Sequence, residues 1–327
     1  MIVVTGAPGH IGNNLVRQLV RKGQRVRCMV LRGESLKPLH GLDVEIVEGD
    51  VRDPASLDAA FSGATVVYHL ASVISLIPGH NDLLEQVNVR GARNVAEACL
   101  RRGVRRLVYT SSIHALVEPP HGTPIDESAP IDPSRAPLAY SKSKAKGTLE
   151  VLDVASKGLD VVLIFPTGVI GPHDYKPGEV GQMILDYRRG RLPVRLAGGY
   201  DFVDVRDVAA GHILASEKAP PGEKYILHGE WISVDDVMLE LSLATGVPVP
   251  RFRLPSGLAR AAAAAVSAVC SLTGTRMPFN TDSFDTLQSN SLIVTRKAEV
   301  ELGFSARPIR QSLRDSVQWF RSVGMLN

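Results

Sequence analysis

Tyr140 and Lys144 stand four residues apart in the run Leu138–Ser156, where Leu138, Ala145, Leu149, Leu152 and Ala155 recur at helical spacing. On a helix both side chains leave one face, a turn apart. A phenol with a reference pKa near ~10 is a poor acid or base at neutral pH. A nearby ammonium stabilises the phenolate and brings that value toward the working range. Tyr-x-x-x-Lys also arises in ordinary amphipathic helices, so the pair takes its meaning from the elements that position it.

The first of these elements is a turn. Residues 2–5 form a short apolar strand, followed at once by Gly6-Ala7-Pro8-Gly9-His10-Ile11-Gly12 and a helical run to Lys22. Glycines at this spacing let the backbone turn tightly and approach a pyrophosphate, whose charge rests on the helix N-terminus. The spacing is G-x-x-G-x-x-G, one residue longer between the first two glycines than the usual dinucleotide fingerprint.

Later strand ends supply further candidates. The second strand, 25–31, runs into Leu31-Arg32-Gly33, where a carboxylate would hold the ribose of a dinucleotide lacking a 2′-phosphate. A guanidinium pairs with a 2′-phosphate instead. NADP(H) is therefore the expected cofactor, with NAD(H) possible and Glu34 weighing against the preference. Asp50, after a third strand at 44–47, would accept from an adenine amino group or cap the next helix, for which Asp53 is better placed. A fourth strand, 64–70, closes in Leu70-Ala71-Ser72, small enough for the chain to pass close under a cofactor. Helical residues 81–102 lead to a fifth strand at 105–110 and to Ser111-Ser112. Strands alternate with helices throughout, so the predicted fold is α/β, a Rossmann-type doubly wound parallel sheet.

Composition narrows the class. The 327 residues are 44% hydrophobic and 22% charged, with a net charge of +3 and no Lys/Arg cluster of the kind nucleic acid requires. Cys28, Cys99 and Cys270 are far apart in apolar settings and read as reduced core thiols; no metal site is expected. Met1 leads directly into the first strand, and the Ala-rich stretch 258–272 falls short of the roughly 20 residues of a spanning helix. A soluble cytoplasmic protein without an integral membrane segment is expected.

These motifs together resemble an extended short-chain dehydrogenase/reductase of the epimerase/dehydratase superfamily. They are the glycine turn, Gly49-Asp50-Val51, His69-Leu70-Ala71, Asn88-Val89-x-Gly91, Thr110-Ser111-Ser112 and Tyr140-x-x-x-Lys144. Further on come Pro166-Thr167-Gly168-Val169-Ile170-Gly171-Pro172 and residues 202–209. The chain is most similar to the dihydroflavonol 4-reductase-like and 3β-hydroxysteroid dehydrogenase-like branch. The resemblance implies Tyr140 as acid/base, Lys144 as the group that lowers its pKa and holds the ribose, and Ser112 rather than Ser111 as donor to the substrate oxygen. It implies cofactor contacts from Gly6, Gly9, His10, Ile11, Gly12, Asp50, Val51, Leu70, Ala71, Ser72, Pro166 and Val169. The last two belong to the loop 166–172, taken to hold the nicotinamide amide.

Two domains follow: a dinucleotide-binding domain, 1–172 with 201–228 returning to it, and a discontinuous substrate lobe, 173–200 and 229–327. Apolar residues 73–77 point to a hydrophobic small molecule, with Val73, Ile113, His114 and Thr167 as substrate contacts. The expected activity is NADP(H)-dependent interconversion of a ketone and a secondary alcohol on a dihydroflavonol-, steroid- or related carbonyl-type compound. The alternatives are a nucleotide-sugar epimerase or dehydratase with tightly held cofactor, and a non-catalytic NADP-sensing protein. Relatives also pair two helices across a two-fold axis. A homodimer through Asn81–Arg102 and Leu138–Ser156, both apolar on more than one face, is expected.

Overall fold

The computed structural model describes residues 1–74, 81–273 and 281–326. In chain order its elements begin β1 (Ile2–Thr5), α1 (His10–Arg21), β2 (Val26–Val30), β3 (Glu45–Glu48), α2 (Pro54–Ala60), β4 (Val66–His69), α3 (Asn81–Leu84) and α4 (Gly91–Arg101). They continue with β5 (Arg106–Thr110), α5 (Ala139–Ala155), β6 (Val161–Pro166), β7 (Gly168–Ile170), α6 (Glu179–Arg188), β8 (Val194–Arg195), β9 (Gly199–Asp204) and α7 (Val205–Lys218). The last are β10 (Lys224–Leu227), β11 (Glu230–Ser233), α8 (Val234–Thr245), β12 (Phe252–Arg253), α9 (Ser256–Thr273), α10 (Thr281–Leu287) and α11 (Ile309–Ser322).

Seven strands form one parallel sheet in the order β10-β6-β5-β4-β1-β2-β3. The central strands are buried along their whole length, as a sheet covered on both faces requires. Val3, Val67, Leu107, Leu163 and Phe165 face one core with α4 and α5, whereas Val4, Tyr68, Val108 and Ile164 face the other with α1 and α7. Strand order reverses between β1 and β4, which opens a crevice at their carboxyl ends, where ligands bind in such sheets.

A second core lies beyond the sheet. Ile184 and Leu185 of α6, Val237 and Leu241 of α8, and Leu313, Val317 and Phe320 of α11 pack with Ile170, Phe202 and Ile232. The last three belong to a small sheet, β11-β9-β7. Asp204, fully buried, ends β9 and caps α7 by accepting from the Arg206 N–H at 2.7 Å. Arg206 reaches on to Asp315 of α11 at 2.6 Å, and Arg307 pairs with Asp207 at 2.6 Å. These pairs tie the start of α7 to the second core.

Several expectations change. The span 166–172 is not all loop: β7 lies inside it and pairs with β9, because Gly168 leaves room for the rings of Tyr200 and Phe202. Residues 201–204 belong to the small sheet; the chain rejoins the large one through α7 and β10. The helical run 81–102 holds a π-helical stretch, Glu85–Arg90, between α3 and α4. Nor is α4 apolar on more than one face. Apart from exposed Leu100 its apolar side chains are inward, and Arg93, Glu97 and Arg101 form ion pairs on the outside. Ala259 and Ala263 of the Ala-rich helix pack on Phe284, Leu196 and Leu254. Among the described residues no helix is long and apolar enough to cross a membrane. Cys28 and Cys99 are buried free thiols, with Cys28 pushed up to about 12 by burial; Cys270 lies outside the described side chains.

Candidate active site

The nucleotide end is built of backbone. Gly6 has φ +67°, and a Cβ there would lie 2.6 Å from the Ala71 nitrogen. A Cβ on Gly12 would lie 2.1 Å from the Gly6 carbonyl oxygen. The turn from β1 therefore passes directly under Leu70 and Ala71. Gly9 caps α1 without a side chain, so the first-turn N–H groups of His10, Ile11 and Gly12 have no side-chain acceptor at the cap, as an anion site at a helix N-terminus requires. The His10 imidazole is turned away: Nε2 lies 3.2 and 3.1 Å from the Gly171 and Pro172 carbonyls, so its share in holding a ligand is the backbone N–H. Asn13 and Asn14 donate to the His173 and Pro172 carbonyls, fastening the same loop to α1.

Arg32 is exposed in the turn after β2, and no ion pair engages it among the described residues. Glu34, which argued against an anion site, turns its carboxylate onto the Leu31 N–H at 3.2 Å. Asp50 is held by Arg52 at 2.5 Å, and that guanidinium keeps its carboxyl below the usual range. Asp53, as expected, caps α2 by accepting from the Ala55 N–H at 3.0 Å. Val51 is buried, its carbonyl taken by Asn94 at 3.0 Å. Leu70, Ala71 and Ser72 are half-buried along the crevice.

At the other end β5 delivers two serines with different fates. Ser111 Oγ lies 2.7 Å from Thr148 Oγ1, which donates to the Lys144 carbonyl at 2.7 Å, so Ser111 is spent on holding α5. Ser112 accepts from the His114 N–H at 3.3 Å, and its hydroxyl is near enough to Tyr140 to pull that phenol's pKa down against burial. Lys144 is buried beneath Tyr140, 5.1 Å from the centroid of the Tyr109 ring, and donates to the Thr110 carbonyl at 2.7 Å.

The electrostatics depart from the expectation of a phenol lowered by its lysine. Burial raises Tyr140 to about 12, opposed only by the Ser112 hydrogen bond. Burial lowers Lys144 to about 7. The Lys144 amine donates to the Thr110 carbonyl at 2.7 Å.

Other groups escaped the sequence. Asn88 Oδ1 accepts from Val73 N at 2.8 Å and Ser72 Oγ at 3.1 Å, while Nδ2 donates to the Val73 carbonyl at 2.9 Å and Ser143 Oγ at 2.9 Å. One amide thus joins the exit of β4 to the helix of Tyr140. It sits in the π-helical stretch, a device that often marks functional sites. Gly147 lets the two helices meet: a Cβ there would lie 2.1 Å from the Asn88 carbonyl. Asn88 was legible only as part of a family motif, without a role.

On the second-lobe side, Pro166 pairs with Leu227 and Val169 with Val203. Thr167 is buried, and its hydroxyl has no partner among the described residues. Ile113 packs into the large core and Val73 is half-buried. Ile74 is 65% exposed, and residues 75–77 of that apolar stretch lie outside the described residues. His114 is turned to Tyr200, its Nε2 2.7 Å from the phenolic oxygen.

Residues 2–227 match the NAD dependent epimerase/dehydratase family. The chain belongs to this family. It is an NAD(P)-dependent oxidoreductase of the extended short-chain dehydrogenase/reductase type. It is 36% identical over 326 residues to Sterol demethylase protein B of Methylococcus capsulatus, covering 99% of each chain. It is 34% identical to a putative dihydroflavonol 4-reductase of Synechocystis, covering 98% of this chain and 94% of that one. The crystal structure of gox2253 superimposes with a TM-score of 0.88 at 33% identity, covering 100% of this chain and 99% of the other. The site fits the family's dinucleotide: the glycine cradle would be filled by any Cβ, and the Thr167 hydroxyl is an orphan at the far end of the crevice.

Proposed function

We propose that this enzyme interconverts a ketone and a secondary alcohol on a hydrophobic small molecule, of dihydroflavonol, steroid or related carbonyl type, using NADP(H). The observation that carries the reading is the division of labour between the serines. Ser111 is tied to Thr148, whereas Ser112 has no such strut and its hydroxyl acts on the Tyr140 phenol, favouring its ionised form. A carbonyl oxygen seated between those hydroxyls has two donors as it gains alkoxide character. When bound, the nicotinamide supplies or accepts the hydride. Tyr140 gives the proton to the substrate oxygen in reduction and takes it back in oxidation. Lys144, close to half-protonated near neutral pH, holds the ribose and carries the charge that eases loss of the Tyr140 proton. Arg32, exposed and without an acidic partner among the described residues, favours the 2′-phosphate.

The names of the relatives, a sterol demethylase component and a putative dihydroflavonol reductase, support a lipophilic substrate. The test is NADPH and NADH oxidation by the purified protein against steroid ketones, dihydroflavonols and UDP-sugars. Turnover restricted to UDP-sugars without added cofactor would replace this reading with the epimerase one. We also propose a homodimer through α4 and α5, whose outer surface combines exposed Leu100 and Leu149 with the Arg93–Glu150 pair. Light scattering at micromolar concentration should give twice the 35.2 kDa chain mass; a monomer ends the proposal.

A further inference from the structure

The cleft contains a pair that the reaction as written does not use. His114 Nε2 and the Tyr200 hydroxyl lie 2.7 Å apart, with ring centroids 6.1 Å apart and planes within 26°. The residues are 86 positions apart, one in the turn after β5 and the other in β9 of the small sheet. Tyr200 is confined. Its ring meets Phe202 edge-on at 5.3 Å, and a Cβ on Gly168 would come within 2.6 Å of it. The turn that carries His114 is a single 3-10 turn, Ile113–Ala115, closed by Ala115 N to the Ser112 carbonyl at 2.9 Å and Leu116 N to the Ile113 carbonyl at 3.1 Å. So short a turn has little internal stiffness, and its direction depends on what anchors its side chains.

We propose that His114 and Tyr200 are a positioning pair through which the second lobe fixes Ser112 for the substrate oxygen. The claim rests on the role given to Ser112 above. The chain of contacts is short. Tyr200 anchors the imidazole; the imidazole fixes the His114 backbone; and the His114 N–H, 3.3 Å from Ser112 Oγ, occupies a lone pair of that hydroxyl. The serine proton is then left for Tyr140 or the substrate. Burial holds His114 down to about 4, so the ring is neutral and one nitrogen is a bare acceptor. A phenol is a better donor to imidazole nitrogen than imidazole is to phenol. The bond is therefore Tyr200 O–H to Nε2, with the ring hydrogen on Nδ1.

Tyr200→Phe removes one hydroxyl and keeps the ring. Loss of one part-buried neutral hydrogen bond should lower kcat by about 5- to 10-fold, with KM and NADPH affinity changed less than about twofold. His114→Phe should do the same, and the double variant should lose little more, because the two act through one contact. His114→Gln should recover much of the loss, since its amide oxygen can accept from Tyr200. Additive losses, a loss confined to KM, or a Gln variant as poor as Phe would each overturn the pair. Amide exchange at His114 reads the same positioning without substrate, so it separates this inference from the proposed activity. Exchange about 5- to 10-fold faster in Tyr200→Phe is expected; an unchanged rate overturns the inference even in an active enzyme.

Discussion

The two ends of the crevice are held by different means. At the nucleotide end, Gly6, Gly9 and Gly12 contribute no side chains, and the geometry follows from β1, β4 and the first turn of α1. At the other end Ser112 Oγ accepts from the His114 N–H in the turn after β5, the His114 ring meets Tyr200 of β9, and Asn88 braces α5 from the π-helical stretch. A backbone cradle is all-or-none, because an added Cβ meets main chain that cannot yield. A side-chain network is graded, because each hydrogen bond contributes about 1 kcal/mol and the rest survive its loss.

That contrast is sharpest at Tyr140. Tyr140→Phe should lower turnover by about 10²-fold or more, as loss of a positioned acid/base does, while dinucleotide affinity stays within about twofold. Steady-state kinetics with a fluorescence titration would check it, and near-normal turnover would remove Tyr140 from the mechanism. Gly12→Ala should give the converse. Its Cβ would lie 2.1 Å from the Gly6 carbonyl oxygen, so the turn must shift. Dinucleotide affinity should drop by roughly 10²-fold, as expected for an ångström-scale misplacement, with far-UV circular dichroism little changed. Retained affinity would show that the cradle yields as a side-chain network does.

Arg32→Ala is the side-chain exception at the backbone end. Loss of a charge-assisted contact of about 1.5–3 kcal/mol should weaken NADPH by roughly 10- to 100-fold and leave NADH almost unaffected; equal losses refute the 2′-phosphate assignment.

The smallest effect expected is on stability. Burial lowers Lys144 to about 7 in the folded protein, below the ordinary lysine value near 10.5. Between these values the unfolded chain binds more protons, so this residue makes stability rise with pH across that window. Lys144→Met should lack this contribution. Thermal melts at pH 7 and pH 10 should show wild type gaining a few degrees relative to the variant, and parallel melting temperatures would refute the buried-amine picture.

Much of this was legible in the sequence because its cause is local. The glycine turn follows from steric need, the Asp53 cap from a carboxylate before Pro54, and the parallel sheet from strands alternating with helices. Tyr140 and Lys144 were legible because helical spacing alone puts them on one face. Other features depend on partners distant in the chain. Ser111 and Ser112 are adjacent and chemically identical. Only the position of Thr148, 37 residues on, turns one into a strut and leaves the other to face Tyr140. Lys144 reads as a neighbour of Tyr140, yet the buried carbonyl of Thr110 claims its ammonium. No local pattern foretells that His114 meets Tyr200 or that the π-helical stretch brings Asn88 to Ser143. The sequence by itself determined the sheet, the glycine cradle and the placing of Tyr140 and Lys144 on one helix face, because backbone sterics and helical periodicity act over a few residues. Only the tertiary structure decided that Thr148 engages Ser111 and that the Thr110 carbonyl takes the Lys144 amine, because a hydrogen bond is allotted by proximity in space and each lone pair or proton can be allotted once.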